Sequence, residues 1–441
     1  MTENAARGKF ALIGAGPMGL AAAKTLIEQG IDFQGFEIHD DVGGLWDIDG
    51  PRSTMYETAH LISSKRMTEF ADFPMDEDVA DYPSHRELKI YFRRFADHFK
   101  LREHFLFRTE VLSVKPLGGN GEGWRVVWRN AEGQEQQAEF AGVLIANGTL
   151  SEPNMPAFKG SFSGELMHSS RYRDPKVFAG KRVLIIGAGN SGCDIAVDAI
   201  HHGLSCDISM RRGYYFVPKY IFGRPADTLG GAIKLPMWLK RRVDGMILKW
   251  FAGDPSKYGF LKPDYALYEA HPVVNSLILF HAGHGDVKVR PDIDRFEGNT
   301  VHFKDGSQAD YDLILAATGY KLHYPFIDKA LLNWQGDAPH LFLNCMHPER
   351  DDLFVLGMVE ASGLGWQGRY EQAEMVARYI AGICKGMMAA KALKAEKAAG
   401  FKRATGSMNY IDLPRMAYYV DKVTYRTAVT SWIAALKDGA K

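Results

Sequence analysis

Phe10-Ala11-Leu12-Ile13-Gly14-Ala15-Gly16-Pro17-Met18-Gly19 runs an apolar strand straight into the pattern G-x-G-x-x-G. In that setting the first glycine makes a tight turn, the second lets backbone approach a pyrophosphate, and the third lets a helix pack closely on the strand. The following helix then aims its N-terminus and unpaired N–H groups at the phosphates. The same arrangement returns in Val183-Leu184-Ile185-Ile186-Gly187-Ala188-Gly189-Asn190-Ser191-Gly192. One such pattern alone is weak. Two, each framed by strand and helix, imply two nucleotides held at once, the signature of a flavin reduced by a nicotinamide.

The ends of the second strands separate the two sites. Glu37 lies 23 positions after Gly14, at the end of the strand expected over Phe33 to Ile38, where a carboxylate usually holds a ribose hydroxyl. Arg211 lies 24 positions after Gly187, with Arg212 beside it and no acid at the strand end. Arginine accommodates a 2′-phosphate and binds it through charge-assisted hydrogen bonds, so the second site reads as NADPH rather than NADH. The sequence does not separate Arg211 from Arg212.

Bulk properties exclude several classes. The 441 residues suffice for two or three domains, and 53 basic residues balance 53 acidic ones, so no nucleic-acid partner is expected. No apolar run approaches the roughly 18 residues of a membrane span. The N-terminal apolar stretch carries the glycine pattern and is preceded by Glu3, which argues against a signal peptide. Cys193, Cys206, Cys345 and Cys384 form no C-x-x-C pair, so neither a dithiol reductase nor a metal site is expected, and a reducing cytoplasm suits them.

The organisation reads as α/β, with two Rossmann-like dinucleotide-binding domains and the NADPH domain inserted in a discontinuous FAD domain. The expected boundaries are 1–168 for the first part of the FAD domain, 169–300 for the NADPH domain, and 301–441 for the return and C-terminal region. Gly43-Gly44-Leu45-Trp46 would bring backbone close to a bound ring or phosphate. A helix is expected over about Glu87 to Phe99, and strands over Thr109 to Val114 and Trp124 to Arg129. Residues 214–285, rich in aromatics, Gly and Pro, read as a partly helical insertion over the active site. The chain then returns to the first domain through Leu353 to Gly357 and a helix near Arg369 to Ile380. The Ala/Lys-rich stretch Met387 to Lys402 is expected to be an exposed helix and turn.

At this point the chain resembles the flavin-containing monooxygenases. Phe162-x-Gly164-x-x-x-His168-x-x-x-Tyr172 matches that family's pattern F-x-G-x-x-x-H-x-x-x-(Y/F) at every fixed position. Baeyer–Villiger relatives usually end the pattern in Trp. Gly187 through Asp194 is close to the family's second fingerprint, and Ala317-Thr318-Gly319-Tyr320 resembles its domain-linking motif. Asp72-Phe73-Pro74 and Gln372-Ala373 match further blocks, so the resemblance runs from Phe10 to about Ile380. The hydrophobic tail that anchors vertebrate members is lacking, and a soluble protein is expected.

The resemblance implies FAD on the first fingerprint, NADPH on the second and molecular oxygen as co-substrate. Reduced flavin would form a C4a-hydroperoxide that passes one oxygen to a soft nucleophile: an amine nitrogen, a sulfide or an indole-like ring. It implies FAD contacts at Gly14, Gly16, Pro17, Gly19, Glu37, Gly44, Leu45, Trp46, Ser64, Lys65, Val111, Thr318, Gly319 and Gln372. NADPH contacts are implied at Gly187, Gly189, Asn190, Ser191, Gly192, Arg211 and Arg212. His168 is expected to organise the junction between the nucleotide domains rather than transfer a proton.

The chain departs from the family at one place. Where the family usually carries an asparagine that reaches the flavin–nicotinamide site, this chain has Ile62, with Ser63 and His60 as the nearby polar residues. Baeyer–Villiger oxygenation of ketones therefore stays open, as does a non-oxygenating FAD/NADPH reductase or oxidase. The partner expected is a small-molecule substrate, with a homodimer compatible with the sequence.

Overall fold

The computed structural model describes residues 8–118, 123–229 and 236–438. Its first sheet has five parallel strands in the order Leu353–Val355, Gly142–Ile145, Phe10–Ile13, Phe33–Phe36 and Phe105–Leu106. The second, also all parallel, runs Glu165–His168, Leu313–Ala316, Arg182–Ile186, Ser205–Ser209 and Val287–Arg290. Parallel strands are covered on both faces, which is why Phe10–Ile13, Gly142–Ile145 and Leu313–Ala316 are apolar throughout. The helices Pro17–Glu28 and Gly365–Cys384 pack together in the core beside the first sheet. Cys193, Ile195 and Ala196 of helix Asn190–His202 fill the core beside the second.

Leu353–Val355 pairs directly with Gly142–Ile145, although the whole second sheet separates them in sequence. The second nucleotide fold is thus inserted in the first. The chain crosses between them twice, and Glu152–Pro153 on the way out pairs antiparallel with Tyr320–Lys321 on the way back. Residues 301–316, expected in the returning part, belong to the second unit: Val301 and Phe303 fill its satellite core, and Leu313–Ala316 sits between two of its strands. His168 likewise ends a strand of the second sheet, and lies beside Ala316.

The predicted helix spans His85–His98, starting two residues and ending one residue earlier than its apolar spacing suggested. Ser84 caps it and Glu87 reaches back to the Ser84 N–H, a capping box that fixes the start. Strand Trp124–Arg129 falls where expected, in an antiparallel sheet with Glu110–Pro116 and Glu135–Phe140. Its Trp124, Val126 and Trp128 alternate inward.

Within 214–285 lie helices Met237–Ala252 and Leu277–His284, anchored to the second core by Phe216, Phe260 and Val273. The insertion reaches over the first unit, where Tyr82 donates to the Lys219 carbonyl and the Ser64 N–H to Asp227 Oδ2 at 2.7 Å. The Ala/Lys-rich stretch forms helix Met388–Ala398 and is not merely exposed. Ala390 and Leu393 are buried, and the buried Lys397 ammonium donates to the carbonyls of His347, Pro348 and Arg350. Helix Lys422–Asp438 then packs on Gly365–Cys384 through Tyr425 and Val429. Among the described residues no helix is long and apolar enough to cross a membrane.

Candidate functional site

The first fingerprint forms the wall of a cleft of about 1000 Å³. Gly14 sits at φ +105°, a left-handed value open to glycine, and its N–H donates to the Phe36 carbonyl at 2.8 Å. A Cβ there would lie 2.6 Å from the Ala146 carbonyl oxygen, and one at Gly19 only 1.8 Å from the Gly14 oxygen. Gly44 closes over the turn, with 2.9 Å between a would-be Cβ and the Gly16 Cα. Glu37 is buried at the floor. Its Oε2 accepts from the Ala15 N–H at 2.5 Å and its Oε1 from the His39 N–H at 2.9 Å. Burial pushes the Glu37 carboxyl above its usual range, against the pull of those two N–H groups.

The second fingerprint repeats the turn. Gly187 has φ +102° and donates to the Ser209 carbonyl at 2.8 Å. A Cβ at Gly187 would meet the Ala317 oxygen at 2.6 Å, and one at Gly192 the Gly187 oxygen at 1.9 Å. Gly189, at the start of helix Asn190–His202, has nothing within 4 Å of a built Cβ, so its face lies open. Beyond the second strand, Arg211 is exposed, whereas Arg212 is half-buried and its Nη1 is buried with no partner. A buried guanidinium nitrogen without an acceptor is costly alone and fits an incoming phosphate.

His168 stands at the crossover between the two units. Its Nδ1 accepts from the Ser170 N–H at 3.1 Å, which leaves the proton on Nε2, facing the Gly319 carbonyl at 3.1 Å. Burial pushes this imidazole below its usual range, so it is neutral at pH 7. The rest of the motif is equally structural. Phe162 packs on Phe296, a Cβ at Gly164 would collide with the Asp312 oxygen at 2.6 Å, and the buried Tyr172 hydroxyl donates to Asp198 at 2.8 Å. Asp198 also accepts from Thr58 of the first unit at 2.6 Å, tying the two units together.

The chain matches the family described as flavin-binding monooxygenase-like over residues 7–435. It belongs to that family. The rabbit (Oryctolagus cuniculus) flavin-containing monooxygenase 3 is 32% identical over 397 residues, covering 85% of this chain and 74% of the relative. The human flavin-containing monooxygenase 2 is 30% identical over 401 residues, covering 86% and 74%. Among solved structures, a cyclohexanone monooxygenase superposes with TM-score 0.69 at 20% identity, covering 98% of this chain and 97% of that one. The Allium sativum S-allyl-L-cysteine S-oxygenase superposes with TM-score 0.66 at 20% identity, covering 97% and 88%.

This member of the flavin-binding monooxygenase-like family is an FAD- and NADPH-dependent monooxygenase acting on small molecules. The residues present fit both cofactors. Backbone at Gly14, Gly19, Gly187 and Gly192 leaves no room for a Cβ and so fixes both turns, Gly189 leaves an open face at the second helix start, and Arg212 carries the orphaned donor a 2′-phosphate satisfies. Of the expected FAD residues, Gly14, Gly16, Pro17, Glu37, Gly44, Leu45 and Val111 line the first cleft, and Gly19 packs behind it.

The remaining expected FAD residues are placed elsewhere. Trp46 packs edge-on against Trp366 in the core. The buried Lys65 ammonium is held by the carbonyls of Asp76, Glu77 and Val79, since a buried cation must find acceptors and this loop offers three. Thr318 Oγ1 donates to the Asn154 carbonyl at 2.6 Å, and the Gly319 carbonyl receives both His168 and the Asn154 N–H, so both residues lock the crossover. The fully buried Gln372 amide is spent on the Gly357 N–H, the Leu343 carbonyl and Tyr425. It sets Gly357 against Met18, which does line the cleft.

In the second site Asn190 also turns inward. Its Oδ1 accepts from the Val274 N–H at 2.7 Å and its Nδ2 donates to the Pro272 carbonyl at 3.0 Å, pinning the insertion to the helix start. Ser191 is half-buried beside it. Near the departure, Ile62 is half-buried, Ser63 Oγ bonds Thr68 Oγ1 at 2.7 Å, and His60 Nδ1 contacts the Thr58 carbonyl at 2.8 Å. Buried polar atoms without partners there include Ser64 Oγ, Asp227 Oδ1 and both ring nitrogens of His85. Asp227 comes from the insertion, and no motif marked it.

Proposed function

We propose that this enzyme transfers one oxygen atom from O₂ to a soft nucleophile, an amine nitrogen or a sulfide sulfur. Bound FAD, once reduced by NADPH, supplies the oxygen-activating chemistry. The first fingerprint and Glu37 hold the FAD, and the second fingerprint and Arg212 hold the coenzyme. The tie from Thr58 through Asp198 to Tyr172 keeps the two clefts in register.

The observation that carries this reading is His168. Both its nitrogens are spent on backbone and its ring is neutral, so the joint between the two units orients and relays no proton. A tertiary amine or a thioether brings its own lone pair and needs no base to unmask it. Supporting the same reading, the chimpanzee relative that is 30% identical over 401 residues bears the name dimethylaniline monooxygenase, N-oxide-forming. The experiment is oxygen uptake with NADPH in the presence of a tertiary amine, a thioether or a cyclic ketone, scored for product and peroxide. N-oxide or sulfoxide is the expected product. Lactone from the ketone alone would favour the Baeyer–Villiger reading, and peroxide alone an oxidase.

A further inference from the structure

Of the nineteen large apolar side chains exposed among the described residues, eleven fall within 214–285. Helix Met237–Ala252 concentrates them. Trp238, Arg242, Met246, Lys249 and Trp250 recur at helical spacing, so they share one face, and all of them are exposed. Trp238 is 69% exposed, Met246 51% and Trp250 85%. The ion pairs lie on the other side. Lys240 meets Asp244 and, at 2.8 Å, the Tyr268 hydroxyl, while Arg241 Nη2 meets Glu269 Oε1 at 3.0 Å. Tyr268 and Glu269 belong to the insertion, so the helix turns its paired charges inward and its tryptophans outward. A helix at a water-facing surface does the reverse.

A second element reaches the same end of this helix. The hairpin of Tyr220–Ile221 with Arg224–Pro225 turns through Phe222 and Gly223, both with positive φ, and leaves Phe222 83% exposed. The Phe222 ring meets Phe251 edge-on at 5.0 Å, which sets the hairpin tip beside Trp250. Phe222, Trp250 and Phe251 thus form one exposed aromatic corner. Apolar side chains scattered singly on a surface need no explanation, whereas contiguous ones mark a place where something docks.

The charge around the corner selects the partner. Residues 214–285 hold nine basic residues against five acidic ones, in a chain whose totals are equal. Asp244 and Glu269 are held by Lys240 and Arg241, while the exposed Arg224, Arg242 and Lys249 have no ion pair among the described residues. A two-fold contact with a second copy would set the same cations against each other. Tryptophan interleaved with arginine and lysine suits instead an anionic bilayer, where indole rings sit at headgroup level and the cations meet phosphates. We infer that the insertion docks on an anionic phospholipid surface, with the outer stripe of helix Met237–Ala252 and the Phe222 tip entering the headgroup layer. Such docking lies on the bilayer and needs no spanning helix.

The test sediments FAD-loaded enzyme with vesicles of phosphatidylcholine alone and of phosphatidylcholine with about one third phosphatidylglycerol. The mixed vesicles should bind it about tenfold or more tightly than the neutral ones, and added salt should weaken that binding. Replacing both aromatic rings, Phe222→Ser with Trp250→Ser, should weaken it about tenfold or more, because neither ring then leaves water. Arg242→Gln with Lys249→Gln should weaken it about tenfold on mixed vesicles and leave neutral ones unchanged. Bound FAD per chain and NADPH oxidation without vesicles should match the wild type in both variants, which reports that they are folded. No binding to the mixed vesicles overturns the inference. So does binding that neither salt nor lipid charge affects. Sedimentation velocity without lipid covers the remaining occupant: a dimer that dissociates when Phe222 and Trp250 are replaced would assign this face to a second copy and overturn docking on lipid.

Discussion

The two glycine turns are nearly superimposable in their internal geometry and differ in everything around it. Gly14 and Gly187 share a left-handed φ and the same 2.6 Å approach to a carbonyl, and Gly19 and Gly192 close on them at 1.8 and 1.9 Å. Yet the first turn is roofed by Gly44 and floored by a buried glutamate, while the second opens at Gly189 and ends in arginines. The glycine pattern thus specifies a turn that presents helix N–H groups. Which nucleotide is held is decided by the roof and by the charge at the next strand's end.

The strongest way to break this comparison is to fill its shared part. Gly19→Ala and Gly192→Ala each drive a methyl into backbone, which cannot step aside, and each should cost about 3 kcal/mol or more in stability. The losses should diverge in kind: Gly19→Ala should purify without flavin, and Gly192→Ala should stay yellow but resist reduction by NADPH. Denaturant melts with flavin absorbance check both. Full flavin and full reduction in the two variants would show that the turns do not present the phosphates.

The charge at the strand end comes next. Arg212 has the buried, unpartnered Nη1 and Arg211 is exposed, a distinction absent from the sequence. A charge-assisted contact contributes roughly 1.5–3 kcal/mol, or about ten- to a hundredfold in affinity. Arg212→Ala should raise the KM for NADPH by that factor and leave NADH kinetics unchanged, whereas Arg211→Ala should stay within about threefold. Steady-state kinetics with both coenzymes decides it, and the reverse ranking would move the phosphate to Arg211.

Much of this was legible because it is local. Strand, turn and helix at both fingerprints follow from a few consecutive residues, and the apolar run from Leu353 to Gly357 reads as the return to the first domain. What stayed hidden depends on long-range polar satisfaction. Lys65, Gln372, Thr318 and Asn190 look like ligand contacts in a motif, but each is spent on backbone groups that only the folded chain brings near. The same blindness hid Asp227, which shares no spacing with Ser64 and meets its N–H only when the insertion closes over the first unit.

Glu37 sharpens the contrast at a smaller scale, because the first site carries a titrating acid where the second has arginines. Burial raises its folded pKa above the unfolded value, so Glu37 holds its proton more tightly when folded. Its contribution to apoprotein stability is therefore present at low pH and lost as pH rises through the folded value. Glu37→Gln apoprotein should accordingly show a flatter stability profile as pH rises above the ordinary carboxylate range, by denaturant melts. The same variant should bind FAD about tenfold more weakly at pH 7.5, since an amide oxygen is a poorer ribose acceptor than a carboxylate. Unchanged FAD affinity would remove Glu37 from the site.

The smallest effect tests the first helical residue, which is Pro17 in one turn and Asn190 in the other. Pro17 has no amide and lines the cleft, whereas Asn190 holds Val274 and Pro272. Each of those hydrogen bonds contributes about 0.5–1.5 kcal/mol net, so Asn190→Ala should lose roughly 1–3 kcal/mol in stability. Flavin content should not change, because the affected segment lies on the second unit. The KM for NADPH should rise by no more than about threefold, as the insertion loosens over the helix start while the backbone N–H groups remain. Asn190→Asp keeps the acceptor for the Val274 N–H and should recover part of the stability. A hundredfold rise in KM with stability unchanged would mean that the Asn190 amide contacts the coenzyme directly, and the two turns would then differ in their ligands' first contact as well as in roof and charge.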